Sequence, residues 1–480
     1  MTFSNRKQKI EYGDFQTPPE LTERICYFLN EKGMRPRSIL EPTCGEGNFL
    51  CSAMDNFQDV EIATGVEVNP EYVRRANQKI IAKSCGDRIQ LIPGDFFHLD
   101  WHHIISPLPE PLLVIGNLPW VTNSSLGSIG SQNIPQKSNF QNHKGLDALT
   151  GKSNFDISEW MLIQILHWFA QTSGFVALLC KTGVARKVLQ YACKQDLPIL
   201  DASLYTIDTK KYFQASVSAG LLICKLGNGT KNYDCSVYDD FGDRQIYLST
   251  FGTRDGKLIA NLDCFEQYKH LEGESPYQWR SGIKHDCAKI MELRGRYPNL
   301  TNGLGENVKI ENDYVFPLLK SSDLANSRTN QISRSAIVTQ RRVGEETQSI
   351  EEKAPHTWQY LQQHKAWLER RKSSIYKNKP PFSIFGVGEY SFSPWKVAIS
   401  GLYKQFSFRI VEPMAGKPTM LDDTCYFIAC QSKEEAELLS VILNSKIAEQ
   451  FFQTFIFWDA KRPITVSILS RINICKWLMY

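Results

Sequence analysis

Three short runs near the start of the chain hold side chains able to bind a ligand. The first, Ile39-Leu40-Glu41-Pro42-Thr43-Cys44-Gly45-Glu46-Gly47-Asn48-Phe49, joins a β-like run to a helical one. Gly45 and Gly47 let the backbone turn tightly and approach a ligand with no Cβ in the way. The helix start beyond them offers unpaired N–H groups to an anionic group. A dinucleotide site requires G-x-G-x-x-G, and Leu50 stands at the third glycine position here. An acid at position 41 repels a pyrophosphate and suits the ammonium group of an amino acid. The second run, Gly65-Val66-Glu67-Val68-Asn69-Pro70, places Glu67 22 residues past Gly45, about where a ribose-binding acid belongs. In the third, Gly94-Asp95-Phe96, the acid can take an adenine amino group and the ring can stack on the base. Each feature also has a bland explanation. A strand-end acid is often solvated or capping, Asn69-Pro70 makes a good N-cap and N1 pair, and Thr17 with Glu20 forms a T-x-x-E capping box. Their placement on successive strand-to-helix junctions is what marks a ligand site.

The elements that must hold these runs are legible as alternating β-rich and helical segments, the signature of a parallel α/β sheet. Strands are expected at Ser38–Glu41, Ile62–Glu67, Ile89–Pro93, Leu112–Asn117, Phe175–Lys181, Ile199–Thr206 and Val217–Lys225. Helices are expected at Pro18–Lys32, Gly47–Phe57, Pro70–Lys83, Ile157–Gln171 and Thr182–Lys194. Seven strands with intervening helices make a doubly wound, Rossmann-like fold that binds ligands beyond the carboxyl ends of its strands. The Ser-, Asn- and Gly-rich segment from Leu118 to Asn154 is long for a loop without a function. Around Gly227–Lys231 the alternation stops, so a catalytic domain is expected over 1–229 and a second, α+β domain over 230–480. One helix is well marked there: Ser432 and Glu435 form an S-x-x-E box ahead of Leu438, Leu439, Ile442 and Leu443.

Composition excludes several classes. With 55 basic and 51 acidic residues, any nucleic-acid surface must be a local patch rather than a global field. The N-terminal MTFSNRKQKIEYGDF has no apolar run, so no signal peptide is expected. The most apolar stretch, Trp160–Cys180, is interrupted by Gln164, His167 and Gln171, which argues against a membrane span. Thirteen cysteines, none spaced C-x-x-C, fit reduced cytoplasmic thiols and no metal site.

EPTCGEGNF, GVEVNP, GDFF and NLPW (Asn117–Trp120), in that order, resemble the motifs of S-adenosylmethionine-dependent methyltransferases acting on amino nitrogen, most closely the bacterial N6-adenine DNA methyltransferases of type II restriction–modification systems. Asp14–Pro18 resembles their N-terminal cofactor motif, and the order of motifs resembles the gamma type. The resemblance covers most of the expected catalytic domain. It implies that Thr17 holds the methionine carboxylate, Glu41 lies against the methionine amino group, Glu67 binds the ribose hydroxyls, and Asp95 with Phe96 binds the adenine. Thr43, Gly45, Gly47 and Val68 complete the implied cofactor site.

Asn117, Leu118, Pro119 and Trp120 are then the catalytic residues. An exocyclic adenine amine is a poor nucleophile because its lone pair is delocalised into the ring. The Asn117 side-chain oxygen and the Leu118 carbonyl can accept its two N–H hydrogens, favouring a pyramidal nitrogen whose lone pair faces the methyl group. The family's commonest form has Pro at the position of Leu118; that position supplies a backbone carbonyl, so activity should survive. Related RNA adenine dimethyltransferases carry NLPY or NIPY. A base within a duplex must be flipped out and stacked between aromatics. Trp120 is expected on one side and Tyr212 or Phe213 on the other. Gly151–Trp160 resembles a segment of a subset of these enzymes.

The C-terminal half suits target recognition. Lys365–Lys379 carries six basic residues, and Arg370, Arg371 and Lys372 are the expected DNA contacts. Arg341-Arg342, Lys396, Lys404 and Arg409 add to the basic supply, and Pro317–Asp323 and Ser391–Lys396 resemble recognition-domain segments. The expected partners are double-stranded DNA and a cognate restriction endonuclease, in the cytoplasm, with no membrane and no metal. Methylation of RNA or of a protein glutamine, or an inert DNA-specificity subunit, are the competing readings.

Overall fold

The computed structural model describes residues 16–83, 86–121, 156–170, 172–242, 244–330 and 333–477. Asp14, most of the Leu118–Asn154 segment and the run 151–155 lie outside the described residues. The chain divides into two compact units, Met1–Leu262 and Asp263–Tyr480.

In the first unit the order is α1 (Pro19–Glu31), β1 (Ser38–Glu41), α2 (Asn48–Asn56), β2 (Ile62–Glu67), α3 (Pro70–Ile81), β3 (Ile89–Pro93), α4 (Trp101–Ile105), β4 (Leu112–Asn117), α5 (Ile157–Trp168), β5 (Gly174–Lys181), α6 (Thr182–Lys194), β6 (Ile199–Ile207), α7 (Thr209–Phe213) and β7 (Ala219–Leu226). Three more strands follow: β8 (Cys235–Tyr238), β9 (Tyr247–Arg254) and β10 (Lys257–Ile259). The sheet runs β10-β9-β8-β6-β7-β5-β4-β1-β2-β3. Strands β3, β2, β1, β4 and β5 are parallel, and β7 is antiparallel between β5 and β6. The seven expected strands are thus present and β8–β10 extend them, with β8 parallel to β6. That extension carries the first unit to Leu262 rather than to the expected division at 229.

The central strands are apolar on both faces because helices cover both: Leu112–Ile115 of β4 and Val176–Cys180 of β5 are all buried. Strand order reverses between β1 and β4, which opens a crevice at their carboxyl ends. Helix starts are set locally. Asn69 accepts a hydrogen bond from the Glu71 N–H at 3.0 Å ahead of Pro70, and Asp156 accepts one from the Ser158 N–H at 3.2 Å. The T-x-x-E box expected at Thr17 does not form. Pro18 is the N-cap residue of α1 and there is no side-chain cap, so Thr17 lies one residue too early and is free for another role.

The second unit is α+β. Its strands are β11 (Arg280–Ser281), β12 (Glu292–Arg296), β13 (Asn299–Thr301), β14 (Asn307–Val308), β15 (Val315–Leu319), β16 (Arg334–Ile337), β17 (Trp395–Ser400), β18 (Arg409–Val411), β19 (Met420–Leu421) and β20 (Cys425–Cys430). They form a six-stranded sheet, β14-β13-β12-β16-β15-β19, and a four-stranded sheet, β11-β20-β17-β18. The helix Lys433–Leu443 starts at Ser432, whose hydroxyl accepts the Glu435 N–H at 3.2 Å. The Glu435 carboxylate takes the Gln431 N–H rather than that of Ser432. Ala436, Leu439, Ile442 and Leu443 form the buried stripe, while Leu438, one position off it, is 51% exposed.

Two basic residues expected to meet DNA are instead committed inside this unit. Arg371 donates to the carbonyls of Leu368 (2.7 Å), Ser383 (2.7 Å) and His285 (3.4 Å) and lies 3.7 Å over the Tyr376 ring. Burial lowers its pKa. Arg370 and Lys372 are exposed. Lys396, in β17 between β20 and β18, is 0% exposed and donates to the Ser393 carbonyl at 2.7 Å. Burial pushes its ammonium down to about 7, so it cannot reach a phosphate.

Candidate active site

At the carboxyl ends of β1–β4 lies a cleft lined by residues from every strand-to-helix junction read from the sequence. Thr17, Glu41, Thr43, Gly45, Glu67, Val68, Asp95, Phe96, Asn117 and Pro119 all face it. Gly45 sits at φ 52°, a left-handed conformation that favours glycine, with the end of the Gln16 side chain folded over the place a Cβ would take. Its N–H donates to Glu67 Oε2 at 2.9 Å, and the Asn69 N–H donates to Oε1 at 2.7 Å. Glu67 therefore ties the glycine turn to the end of β2. Gly47, at φ 74°, is the N-cap of α2. Its Cβ position lies 3.3 Å from the Ala76 Cβ, so the turn sits close against α3.

Glu41 is 3% exposed, and its Oε2 has no hydrogen-bond partner among the described residues. Burial pushes its carboxyl well above the usual carboxylate range; the Leu50 N–H opposes this and the charge of Glu67 adds to it. An orphaned acid oxygen facing a cleft is a receptor for a cation or a donor. Asp95 is held by the Phe97 N–H at 3.0 Å and by His98 Nδ1 at 2.8 Å. Phe96 packs 4.8 Å from Trp101 and 5.8 Å from Trp168, so its ring forms part of an aromatic wall.

Asn117 ends β4 directly after Gly116, which sits at φ 148° and where a Cβ would come within 3.3 Å of the Glu41 Cγ. The Asn117 Oδ1 is buried, and its carbonyl accepts from Thr43 Oγ1 at 3.4 Å. Asn117 and Glu41 are therefore neighbours, and Thr43 bridges the glycine turn to the asparagine. The Leu118 side chain is 1% exposed and fills the core, leaving only its backbone for chemistry. Trp120 is 6% exposed, its ring edge-on to Phe213 with centroids 5.1 Å apart. Of the two aromatics in α7, Phe213 is thus the one beside Trp120. The Tyr212 hydroxyl instead accepts from Arg24 at 3.3 Å and from Lys211 at 3.2 Å, beside a separate cavity.

Several residues at the site have no counterpart in the sequence reading. Gln16, Tyr72, Phe97 and Met161 line the cleft; Gln16 and Phe97 sit inside runs already singled out, which was the signal available. Lys181, at the end of β5, donates to the Trp120 carbonyl at 3.1 Å and to the buried Asp156 at 2.5 Å. The Ile157 N–H donates to the Val121 carbonyl at 3.0 Å. Three elements are clasped around the exit of the NLPW run, and pairing between residues so far apart in sequence gives no local signal.

Comparison with known proteins places this geometry. The family model "N-6 DNA Methylase" matches residues 1–189. Type II methyltransferase M.NspV of Nostoc sp. (strain ATCC 29411 / PCC 7524) is 47% identical over 475 residues, 99% of this chain and 98% of that protein. Type II methyltransferase M.CvrRI of Paramecium bursaria Chlorella virus XZ-6E is 28% identical over 118 residues, 25% of this chain and 27% of that protein. Among solved structures, the type IIL restriction-modification enzyme MmeI, in complex with DNA, shares the fold at TM-score 0.54 and 12% identity, covering 98% of this chain and 65% of MmeI. With a near full-length match of that identity and an N-6 DNA methylase domain over the cleft, the chain belongs to the type II methyltransferases of the N-6 DNA methylase family.

Proposed function

We propose that this protein methylates N6 of a flipped adenine at a defined sequence in duplex DNA, in the cytoplasm, protecting that DNA from a partner endonuclease. The observation that carries this reading is the adjacency, in one cleft, of the orphaned Glu41 carboxyl and Asn117 at the tip of β4. Adenine as target and DNA as substrate are supported by the family model and by the near full-length type II relative.

S-adenosylmethionine is the methyl donor of such enzymes, and the donor set here fits it. Glu41 offers a buried acceptor for the methionine ammonium. Thr17, 7% exposed at the cleft wall, offers a hydroxyl for the carboxylate. Glu67 and Asp95 serve the ribose hydroxyls and the adenine amino group, and Val68 and Phe96 flank them. The cofactor supplies an electrophilic methyl on a sulfonium that is itself a good leaving group.

Alignment is what remains for the chain to do. The Asn117 amide oxygen and the Leu118 carbonyl accept the two amine hydrogens and hold the nitrogen lone pair toward the methyl. Acceptors fixed where positive charge develops stabilise the transition state without reorganising. Pro119 at the cleft wall, directly after Leu118, stiffens the backbone that carries the Leu118 carbonyl. Trp120 and Phe213 lie buried and edge-on to each other behind this tip, so stacking an extruded base between them requires the two rings to part. The second unit supplies sequence recognition. Incubation with labelled S-adenosylmethionine and duplex DNA, structured RNA or protein, followed by nucleoside and amino-acid analysis, tests the reading. Label in N6-methyladenine of DNA is expected; label confined to RNA or protein, or none, contradicts it.

A further inference from the structure

The second unit has a basic cleft that the expected DNA contacts do not include. It is lined by Lys289, Arg294, Lys320 and Arg334 around one acid, Glu292. Strands β12 and β16 pair antiparallel with Arg294 directly opposite Arg334. Like charges so placed repel and destabilise a sheet. Asp323 pairs with Arg334 at 2.9 Å and Glu292 with Lys320 at 2.6 Å, so both of these cations are anchored in place. Arg294 is exposed, and its guanidinium has neither a hydrogen bond nor an ion pair with any described residue. Lys289, also exposed, lies 5.1 Å over the Trp367 ring. A concave wall with this excess of positive charge concentrates anions. Ser322 and Ser333 add hydroxyl donors to the same wall. Lys320 and Ser322 belong to the Pro317–Asp323 run, which thereby gains a role that the active site does not give it.

We propose that this cleft seats the sugar–phosphate backbone of the target duplex, with Arg294 and Lys289 as direct phosphate contacts and Lys320 and Arg334 as anchored ones. The proposal rests on the DNA reading above. Anchored cations and hydroxyls suit a regularly spaced polyanion, which fixes register on the duplex while base edges are read elsewhere.

Lys289→Gln/Arg294→Gln tests it, by fluorescence titration of cognate and random duplexes across a salt series, with thermal unfolding and cofactor affinity as checks on the fold. Two lost phosphate contacts are expected to lower the salt slope by about 2 and weaken binding roughly tenfold, alike on both duplexes. Should the double variant fail to fold, Arg294→Gln alone, which breaks no internal bond, is expected to lower the slope by about 1. Wild-type affinity and slope in the folded variant overturn the proposal, as does a loss confined to the cognate duplex with the slope unchanged. A wild-type protein that binds the cofactor but no duplex overturns the DNA reading itself, and this cleft assignment with it.

Discussion

Burying one carboxyl near another destabilises an empty protein and is relieved when a cation arrives. Glu41 is in that position, its pKa raised by burial with Glu67 nearby. A group whose folded pKa is raised contributes stability that is fully present below its unfolded pKa and lost as pH rises through the folded one. The ligand-free protein is therefore expected to lose thermal stability across that interval above the ordinary carboxylate value of 4.5, and Glu41→Gln to flatten the loss. Binding the methionine ammonium favours ionised Glu41, so cofactor binding should release a proton and strengthen with rising pH in the same interval. Calorimetry in buffers of different ionisation enthalpy reads this directly; buffer-independent heats would remove Glu41 from the cofactor site. Asn117→Ala is expected to lower kcat by about 10²–10³ or more with cofactor affinity nearly unchanged. A variant with normal turnover would take Asn117 out of the mechanism.

Elements explain which parts of this site the sequence makes legible. Strands β1 to β4 lie where the sequence predicts, down to the terminal residue. Strands β1 and β4 are buried on both faces and so are written as near-continuous runs, whereas β3, at the sheet edge, is only partly buried and is marked by its β-branched residues and closing proline. The acids at their ends follow from that placement. Thr17 reads as a cap in isolation, and only the true helix start at Pro19 frees it. The orientation of the α7 pair, Phe213 toward Trp120 and Tyr212 toward Arg24, is set by partners roughly 90 and 190 residues away in sequence and has no local signature. The same holds for the clasp of Lys181, Asp156 and the Trp120 carbonyl. Lys181→Met is expected to lower kcat about tenfold, as small misplacements of aligned groups do, while leaving cofactor affinity intact. Lys181→Arg should restore part of the rate. Equal losses in kcat and cofactor affinity would mean that the clasp supports the whole cleft rather than the NLPW tip.

Taken as a molecule, the chain joins a cofactor-binding α/β unit to an α+β unit, and charge counting alone misassigns the second. A run of six basic residues over Lys365–Lys379 looks like one surface, yet Arg371 within it is committed to three carbonyls and a tyrosine ring. Arg371→Ala is expected to cost about 2 kcal/mol of stability, in the range of hydrogen bonds to a charged group. Arg370→Ala at the exposed neighbouring position should cost less than about 0.5 kcal/mol; denaturant midpoints compare the two. Equal small effects would show that Arg371's internal contacts carry no weight. The central claim is that one cleft brings a methyl donor and an adenine amine together at Asn117. Its most direct test is single-molecule sequencing of genomic DNA from a host expressing either the wild-type protein or Asn117→Ala. N6-methyladenine is expected at one recurring sequence motif with the wild type and none with the variant. Unmodified DNA with an active wild-type protein, or the same methylated motif with the variant, would contradict it.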